Sequence, residues 1–151
     1  MNLKKSFLNL CENKEYEVNE NQISIVEKLS EYYNLNFNQS LIKKIFKDKN
    51  KKSGFYLVGD VGVGKTMILN FFFSSLKEKK YRLHFNEFMI KFHEFIFENK
   101  KKGKNQGLEK FVEKLSDKTQ ILYFDEFQVT NIVDAMILGK LFKKIFEENI
   151  K

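Results

Sequence analysis

Hydrophobic residues recur at helical spacing over the first fifty residues of the chain. Two helices are predicted there, one over residues 21–33 and a second that begins at a cap supplied by Asn38 or Ser40. Their apolar positions are Val26, Leu29 and Tyr33 in the first helix and Leu41, Ile42, Ile45 and Phe46 in the second. The lysine-rich residues 47–52 interrupt this pattern, so residues 1–50 are predicted to form a helical lead-in.

From residue 51 to residue 151, short apolar runs alternate with helical patterns. Strands are predicted at residues 54–58, 81–86 and 120–124, because each run is short and is bounded by polar residues. Helices are predicted at residues 65–79, 87–98, 108–115 and 131–148, with an exposed loop at residues 99–107. Strands that alternate with helices predict an α/β fold with a parallel sheet and flanking helices.

A glycine-rich loop follows the first predicted strand and leads into a helix. It has the phosphate-loop pattern of glycine, four residues, glycine, lysine and threonine, in the strand-to-helix context that this pattern requires. Its backbone amides would bind the phosphates of ATP, Lys65 would neutralise the outer phosphates during catalysis, and Thr66 would bind Mg²⁺. The residues predicted to contact nucleotide are Gly59, Asp60, Val61, Gly62, Val63, Gly64, Lys65, Thr66 and Met67.

Two adjacent carboxylates end the predicted strand at residues 120–124. Ligands of open α/β sheets bind at the carboxyl ends of strands, where Asp125 is predicted to hold Mg²⁺ through water. Glu126 is predicted to orient or deprotonate the water that attacks the γ-phosphate. Together with the phosphate loop, this pair of carboxylates predicts hydrolysis of ATP.

Composition changes this picture little. The net charge of +7 comes almost wholly from lysine, since Arg82 is the only arginine among 27 basic residues. An A- and T-rich genome encodes such a composition whatever the protein does, so the lysines support only weak contact with nucleic acid or an anionic membrane. With Cys11 as the single cysteine, an intrachain disulfide framework is excluded and a cytoplasmic protein is predicted.

Three motifs resemble the ZapE-like ATPases of the AAA superclass, which are bacterial cell-division proteins related to a mitochondrial ATPase known as lactation-elevated. They lie at residues 54–66, 82–89 and 124–138. The resemblance implies an AAA-type P-loop fold and binding of MgATP. It also implies a homo-oligomer that remodels protein partners in cell division or membrane-protein quality control, either in the cytoplasm or at the periphery of the inner membrane. It also places Gln22 beside the nucleotide, although Asn19 stands where an aspartate is expected.

Members of that superclass continue beyond the magnesium-site strand into a sensor strand and into arginines that act on a neighbouring subunit's nucleotide. The resemblance therefore implies that residues 51–151 are the N-terminal part of a C-terminally truncated ATPase core. An arginine finger contributes roughly 10³- to 10⁵-fold in rate, and Arg82 lies in a motif unrelated to that role. The chain alone is expected to bind nucleotide weakly and to hydrolyse it negligibly.

Two other functions remain open. One is an ATP-switched DNA-binding module similar to helicase loaders, in which the lysines bind phosphates. The other is an inactive nucleotide-binding remnant. A metal site at His84 and His93 is disfavoured, because one lies on a predicted strand, the other on the next helix, and no cluster of thiols or carboxylates joins them.

Overall fold

Eight secondary-structure elements lie within the part of the chain that the structure, a computed structural model, describes: residues 2–37, 53–60, 62–103 and 106–151. In order they are α1 (Leu3–Asn13), α2 (Glu20–Phe37), α3 (Lys65–Ser75), β1 (Lys80–His84), α4 (Phe85–Lys101), α5 (Gly107–Ser116), β2 (Ile121–Asp125) and α6 (Ile132–Glu147). These elements divide into two compact units, Met1–Leu76 and Lys77–Lys151.

The first unit is a small helical core formed by α1, α2 and α3. Helix α1 buries Leu3, Phe7 and Cys11, which recur every fourth residue and so lie on one face. The ring of Phe7 meets that of Phe71 on α3 edge to face, with centroids 5.2 Å apart. The other buried apolar residues of this unit are Val26, Leu29, Tyr32, Tyr33, Ile68, Phe72 and Leu76.

The strand predicted at residues 54–58 does not form. This segment pairs with no strand in the described structure, and Tyr56 and Val58 are 70% and 77% exposed. Phe55 instead packs its ring against Tyr32, with centroids 5.9 Å apart. An apolar run indicates burial, but a strand also needs a neighbouring edge for its amides and carbonyls, and the sequence pattern carries no information about that edge.

The second unit is built on two parallel strands. β1 pairs with β2 in a register that sets Lys80 opposite Ile121 and His84 opposite Asp125. Because side chains alternate across a strand, Leu83 and Phe124 share one face of the sheet, and Arg82 and Tyr123 share the other. The first face meets the hydrophobic cores of α4, α5 and α6.

Phenylalanine rings fill the space between this sheet and its helices. Phe124 on β2 lies at the centre, with its ring 4.8 Å from Phe88, 5.7 Å from Phe85 and 6.1 Å from Phe142. Most of these pairs meet edge to face, the geometry that aromatic quadrupoles favour. β2 is therefore held against both α4 and α6 by one residue.

The edge of β2 that faces away from β1 is paired at Lys151. The amide of Leu122 donates to the Lys151 carbonyl at 2.7 Å, and the Lys151 amide donates to the Gln120 carbonyl at 3.0 Å. The preceding residue, Ile150, is 1% exposed and belongs to the core of the second unit.

Most other elements agree with the sequence predictions, with shifted ends. β1 stops at His84 because α4 already begins at Phe85, and α3 ends at Ser75 instead of residue 79. Helix α6 begins after Asn131, whose side chain accepts a hydrogen bond from the Val133 amide at 2.8 Å.

Helix α1 was not predicted. The predicted helix with Leu41, Ile42, Ile45 and Phe46, and the boundary at residue 50, lie outside the described residues.

We expect Ile150→Ala to lower the free energy of unfolding by about 2–4 kcal/mol, because it opens a cavity in the core of the second unit. Ile132→Ala is the matched control, since Ile132 is 80% exposed and its loss should change stability by less than ~0.5 kcal/mol. Urea unfolding followed by circular dichroism measures both. Equal effects of the two substitutions would contradict the packing of Ile150.

Candidate nucleotide site

The glycine-rich loop ends directly on the first turn of α3. Gly62 and Gly64 have φ angles of 87° and 83°, a left-handed conformation that residues with a Cβ adopt at a cost. Gly64 is also the N-cap of α3, and its carbonyl accepts the first helical hydrogen bond, from the Ile68 amide at 3.0 Å. The two glycines therefore give the loop the curvature that a phosphate-binding backbone requires.

Lys65 folds back over this loop. Its ammonium group donates to the Gly59 carbonyl at 2.8 Å and to the Asp60 carbonyl at 2.5 Å. The positive charge therefore lies against the loop backbone, at an exposed position. Thr66 is exposed in the first turn of α3, where its hydroxyl is accessible to a ligand.

The start of α3 carries a positive charge, Lys65, where the helix dipole favours a negative one. Four of the described helices, α2, α4, α5 and α6, have an acidic residue in the first turn, whereas α1, which carries Lys4 and Lys5 there, does not. Helix α3 has no acidic residue in its first turn and begins with Lys65. A bound anion would resolve this conflict, so the start of α3 fits a phosphate.

Gln22 on α2 lies against the same loop. Its Nε2 donates to the Val63 carbonyl at 3.4 Å, and a Cβ at Gly64 would come within 2.8 Å of that nitrogen. The Oε1 atom of Gln22 is buried and has no hydrogen-bond partner among the described residues. The same built Cβ would lie 3.6 Å from the Cε of Met67. The structure thus brings together Gln22, Met67 and the loop, while Val61 lies outside the described residues.

In the second unit, Asp125 forms a two-pronged ion pair with Arg82. Arg82 Nε donates to Asp125 Oδ2 at 2.6 Å, and Nη2 donates to Oδ1 at 3.0 Å. Tyr123 completes the group, because the guanidinium lies 4.8 Å from its ring centre and its hydroxyl hydrogen-bonds to Asp125. Burial and that hydrogen bond raise the pKa of Tyr123 to about 12.

This environment keeps Asp125 ionised. Burial by itself would raise the pKa of Asp125, but hydrogen bonds from Arg82 and Tyr123, with the positive charge of Arg82, lower that pKa below its usual value. Both carboxylate oxygens are engaged by Arg82, so Asp125 fits a contact to a metal-bound water better than direct coordination of Mg²⁺. The part of the chain that the structure describes contains no group of three or more potential metal-ligating side chains.

Glu126 has a strained backbone and an accessible side chain. Its φ angle is 50°, a left-handed conformation that is uncommon without glycine and recurs at functional sites. The carboxylate is 82% exposed, and Oε2 lies 3.8 Å from Nδ1 of His84. His93 is engaged elsewhere, with its Nε2 2.6 Å from Asp134 Oδ1. The two histidines therefore contact different carboxylates.

Sequence reasoning missed Arg82 as a partner of Asp125. The signal was present in the alternation of β1, which sets Arg82 on the face opposite Leu83. This alternation predicts a contact between Arg82 and Asp125 only when β1 and β2 are known to pair in this register.

These features are those of an ATPase-type chain of mixed helices and parallel strands. The model of the AFG1-like ATPase family matches residues 1–151, and the chain belongs to that family. It is 42% identical over 98 residues to the cell division protein ZapE of Escherichia coli strain K12, covering 64% of this chain and 26% of ZapE. It is 36% identical over 104 residues to lactation elevated protein 1 homolog B of Danio rerio, covering 62% of this chain and 21% of that protein.

The matches confirm the family that the sequence motifs indicated. The chain spans about a quarter of the length of the curated relatives it matches. No solved structure matches the chain. Among the described residues, no helix has both the length and the apolar character needed to cross a bilayer.

The contact between Gln22 and the loop can be tested at two glycines. Gly62→Ala and Gly64→Ala should each cost about 1–2 kcal/mol of stability through left-handed strain. Gly64→Ala should cost more, because its Cβ displaces the Gln22 side chain, whereas no described residue approaches within 4 Å of a Cβ at Gly62. Urea unfolding of the variants measures the difference. In a Gln22→Ala background, Gly62→Ala and Gly64→Ala should lower stability by equal amounts. If Gly64→Ala still costs as much more than Gly62→Ala as before, the contact between Gln22 and Gly64 is contradicted.

Removing Arg82 should destabilise the second unit. Arg82→Met leaves the Asp125 carboxylate without its cation, at a cost of about 1–2 kcal/mol, less than for a fully buried pair because 34% of the Arg82 side chain is exposed. The pKa of Asp125 is lowered on folding, so this contribution is present above the ordinary carboxyl pKa and is lost as the pH falls through the folded value.

Urea unfolding of both proteins between neutral and acidic pH measures this loss. Arg82→Met in an Asp125→Asn background should cost less than in the native background. A stability difference that does not shrink on acidification would contradict the role of the ion pair.

Proposed function

We propose that this chain binds MgATP through the loop at residues 59–66, and that the longer protein of which such a chain is part hydrolyses ATP. One observation carries the proposal: the loop has two left-handed glycines, ends on a helix N-terminus and is covered by the Lys65 ammonium. Each feature favours a polyphosphate for its own reason. Glycine permits the curvature, the helix dipole attracts negative charge, and Lys65 neutralises it.

The proposed roles divide by residue. Gly59, Asp60, Val61, Gly62, Val63 and Gly64 supply backbone amides, Lys65 binds the outer phosphates and stabilises the charge that develops on them, and Thr66 supplies a hydroxyl to Mg²⁺. Gln22 and Met67 form the wall of the loop, and the buried Oε1 of Gln22 is available to accept a hydrogen bond from the nucleotide. Mg²⁺, when bound, would be held by Thr66 and, through water, by Asp125, and would neutralise charge on the outer phosphates.

Asp125 and Glu126 are proposed to act on metal and water respectively. The lowered pKa of Asp125 keeps it anionic, and its engaged oxygens favour a water-mediated contact to the ion. The exposed Glu126 is proposed to orient the attacking water and to accept its proton.

The work coupled to hydrolysis is proposed from the relatives. ZapE is a cell division protein by name, and we propose that this chain acts in a related machine by remodelling protein partners. A cytoplasmic location is proposed with it.

Binding is tested with a fluorescent ATP analogue and the purified chain. Lys65→Ala should weaken affinity at least about tenfold, which is ~1.4 kcal/mol. Lys77→Ala, which removes a lysine outside the loop, is the matched control and should leave affinity within about twofold. Equal losses from both substitutions would show that the analogue binds lysines in general, and would overturn the proposal.

Hydrolysis is tested under single-turnover conditions with the chain in excess over radiolabelled ATP, so that slow release of phosphate is detectable. Glu126→Gln should keep nucleotide affinity and abolish that release. Release of phosphate that is measurable with the unaltered chain and unchanged by Glu126→Gln would remove Glu126 from the reaction. No measurable release by the unaltered chain would favour a nucleotide-binding module without catalysis.

A further inference from the structure

The first half of α6 presents apolar side chains to solvent. Ile132 is 80% exposed, Met136 77% and Val133 55%, and Val129, just before the helix, is 41% exposed. Isolated exposed residues of this kind are common, but here four of them follow one another within eight positions of the chain. Helix α6 therefore has two apolar faces where a surface helix normally has one.

Helical geometry separates these two faces. Ile132, Val133 and Met136 lie within about a quarter of a turn of one another at 100° per residue. Ile137, Leu141 and Ile145 pack into the core of the second unit, on a side of the helix centred roughly 130° away. Val133 lies one turn before Ile137 and borders that core side, whereas Ile132 and Met136 lie outside it, and packing within this unit does not account for their exposure.

Two lysines extend the exposed face toward the C-terminus of α6. Lys140 and Lys143 follow Met136 at spacings of four and three residues, so they continue the same stripe, and both are exposed. The stripe therefore changes along its length from apolar to basic before it ends at Glu147, which forms an ion pair with Lys144. A partner that matches it has apolar side chains at one end and acidic side chains at the other.

The size of the surface distinguishes a peptide from a whole domain. Four side chains exposed to this degree offer on the order of 400 Å² of apolar area, about half of the roughly 800 Å² that each partner buries in a stable interface. That area is too small to support a dimer by itself. It is sufficient for three or four anchor residues of an amphipathic segment, the usual number for a helix bound on a surface.

We propose that Val129, Ile132, Val133 and Met136, continued by Lys140 and Lys143, bind a short amphipathic segment of a partner protein in which apolar residues are followed by acidic ones. This inference deepens the proposed function. The interpretation of the bound segment as part of a client or adaptor protein rests on that proposed function. Binding of the segment itself requires no nucleotide. The surface begins at Val129, three residues after Glu126 in the sequence.

Fluorescence anisotropy with the full chain tests this surface. The probe is a fluorescein-labelled helical peptide of about 14 residues, or four turns, with leucines on one half of a face and glutamates on the other half. A second peptide replaces the glutamates with lysines. The chain should bind the glutamate peptide at least about tenfold more tightly than the lysine peptide, and salt should weaken that preference.

Matched variants locate the binding. Ile132→Ser with Met136→Ser should weaken binding of the glutamate peptide at least about tenfold. Ile90→Ser with Phe97→Ser is the control, because both residues are 59% exposed on α4 of the same unit, and binding should stay within about twofold. Lys140→Glu with Lys143→Glu should reverse the preference between the two peptides.

Three outcomes would overturn the inference. The first is equal loss of binding in the α6 and α4 variants, which would indicate general stickiness. The second is an unchanged peptide preference after charge reversal. The third is a dimer in light scattering that Ile132→Ser with Met136→Ser dissociates, which would make a second copy the occupant. Affinity for the ATP analogue, measured on the same samples, separates failure of this surface from failure of nucleotide binding.

Discussion

The parallel pairing of β1 with β2 is the constraint on which the second unit depends. Its register sets Leu83 beside Phe124 on the face that packs against the helices, and Arg82 beside Tyr123 on the other face. A shift of β1 by one residue would bring the guanidinium of Arg82 into the phenylalanine core, and the same shift of β2 would instead turn the ring of Phe124 into water. The aromatic contacts around Phe124 and the ion pair between Arg82 and Asp125 therefore require the same register, and each stabilises the arrangement that permits the other.

Local rules are broken where chemistry is proposed. Helix α3 begins with a cation where the dipole favours an anion, the buried Oε1 of Gln22 has no hydrogen-bond partner among the described residues, and Glu126 adopts a left-handed conformation without glycine. Each feature costs stability in the protein by itself. Natural sequences keep such costs mainly at functional sites, where a ligand or a reaction compensates them. Similar departures occur where no chemistry is proposed, since Glu15 and Asn149 are also left-handed and α1 also begins with lysines. The departures at the loop and at Glu126 are therefore compatible with the proposed roles but do not assign them.

Strand β2 carries both a residue of the hydrophobic core, Phe124, and a residue of the proposed site, Asp125. Parallel strands usually have both faces covered. Here one face of β1 and β2 meets the phenylalanine core, while the other carries the charged group formed by Arg82, Tyr123 and Asp125. β2 therefore does two things: Phe124 anchors it to α4 and α6, and the next residue, Asp125, lies at its carboxyl end with a fixed orientation. Weakening the aromatic core would move the carboxylate as well.

The sequence by itself determined what depends on neighbouring residues. The glycine pattern predicted the loop, Asn131 predicted the start of α6, helical periodicity predicted α2, α4 and α5, and three motifs indicated the family. These signals are local, because backbone conformation and helical faces depend on residues only a few positions apart. Tertiary structure alone decided that residues 54–58 form no strand, that Lys151 pairs with β2, that Arg82 holds Asp125, and that α6 leaves Ile132 and Met136 exposed. Strand pairing, ion pairs across strands and the burial of a second helix face depend on residues far apart in the chain, and no short window of sequence contains them.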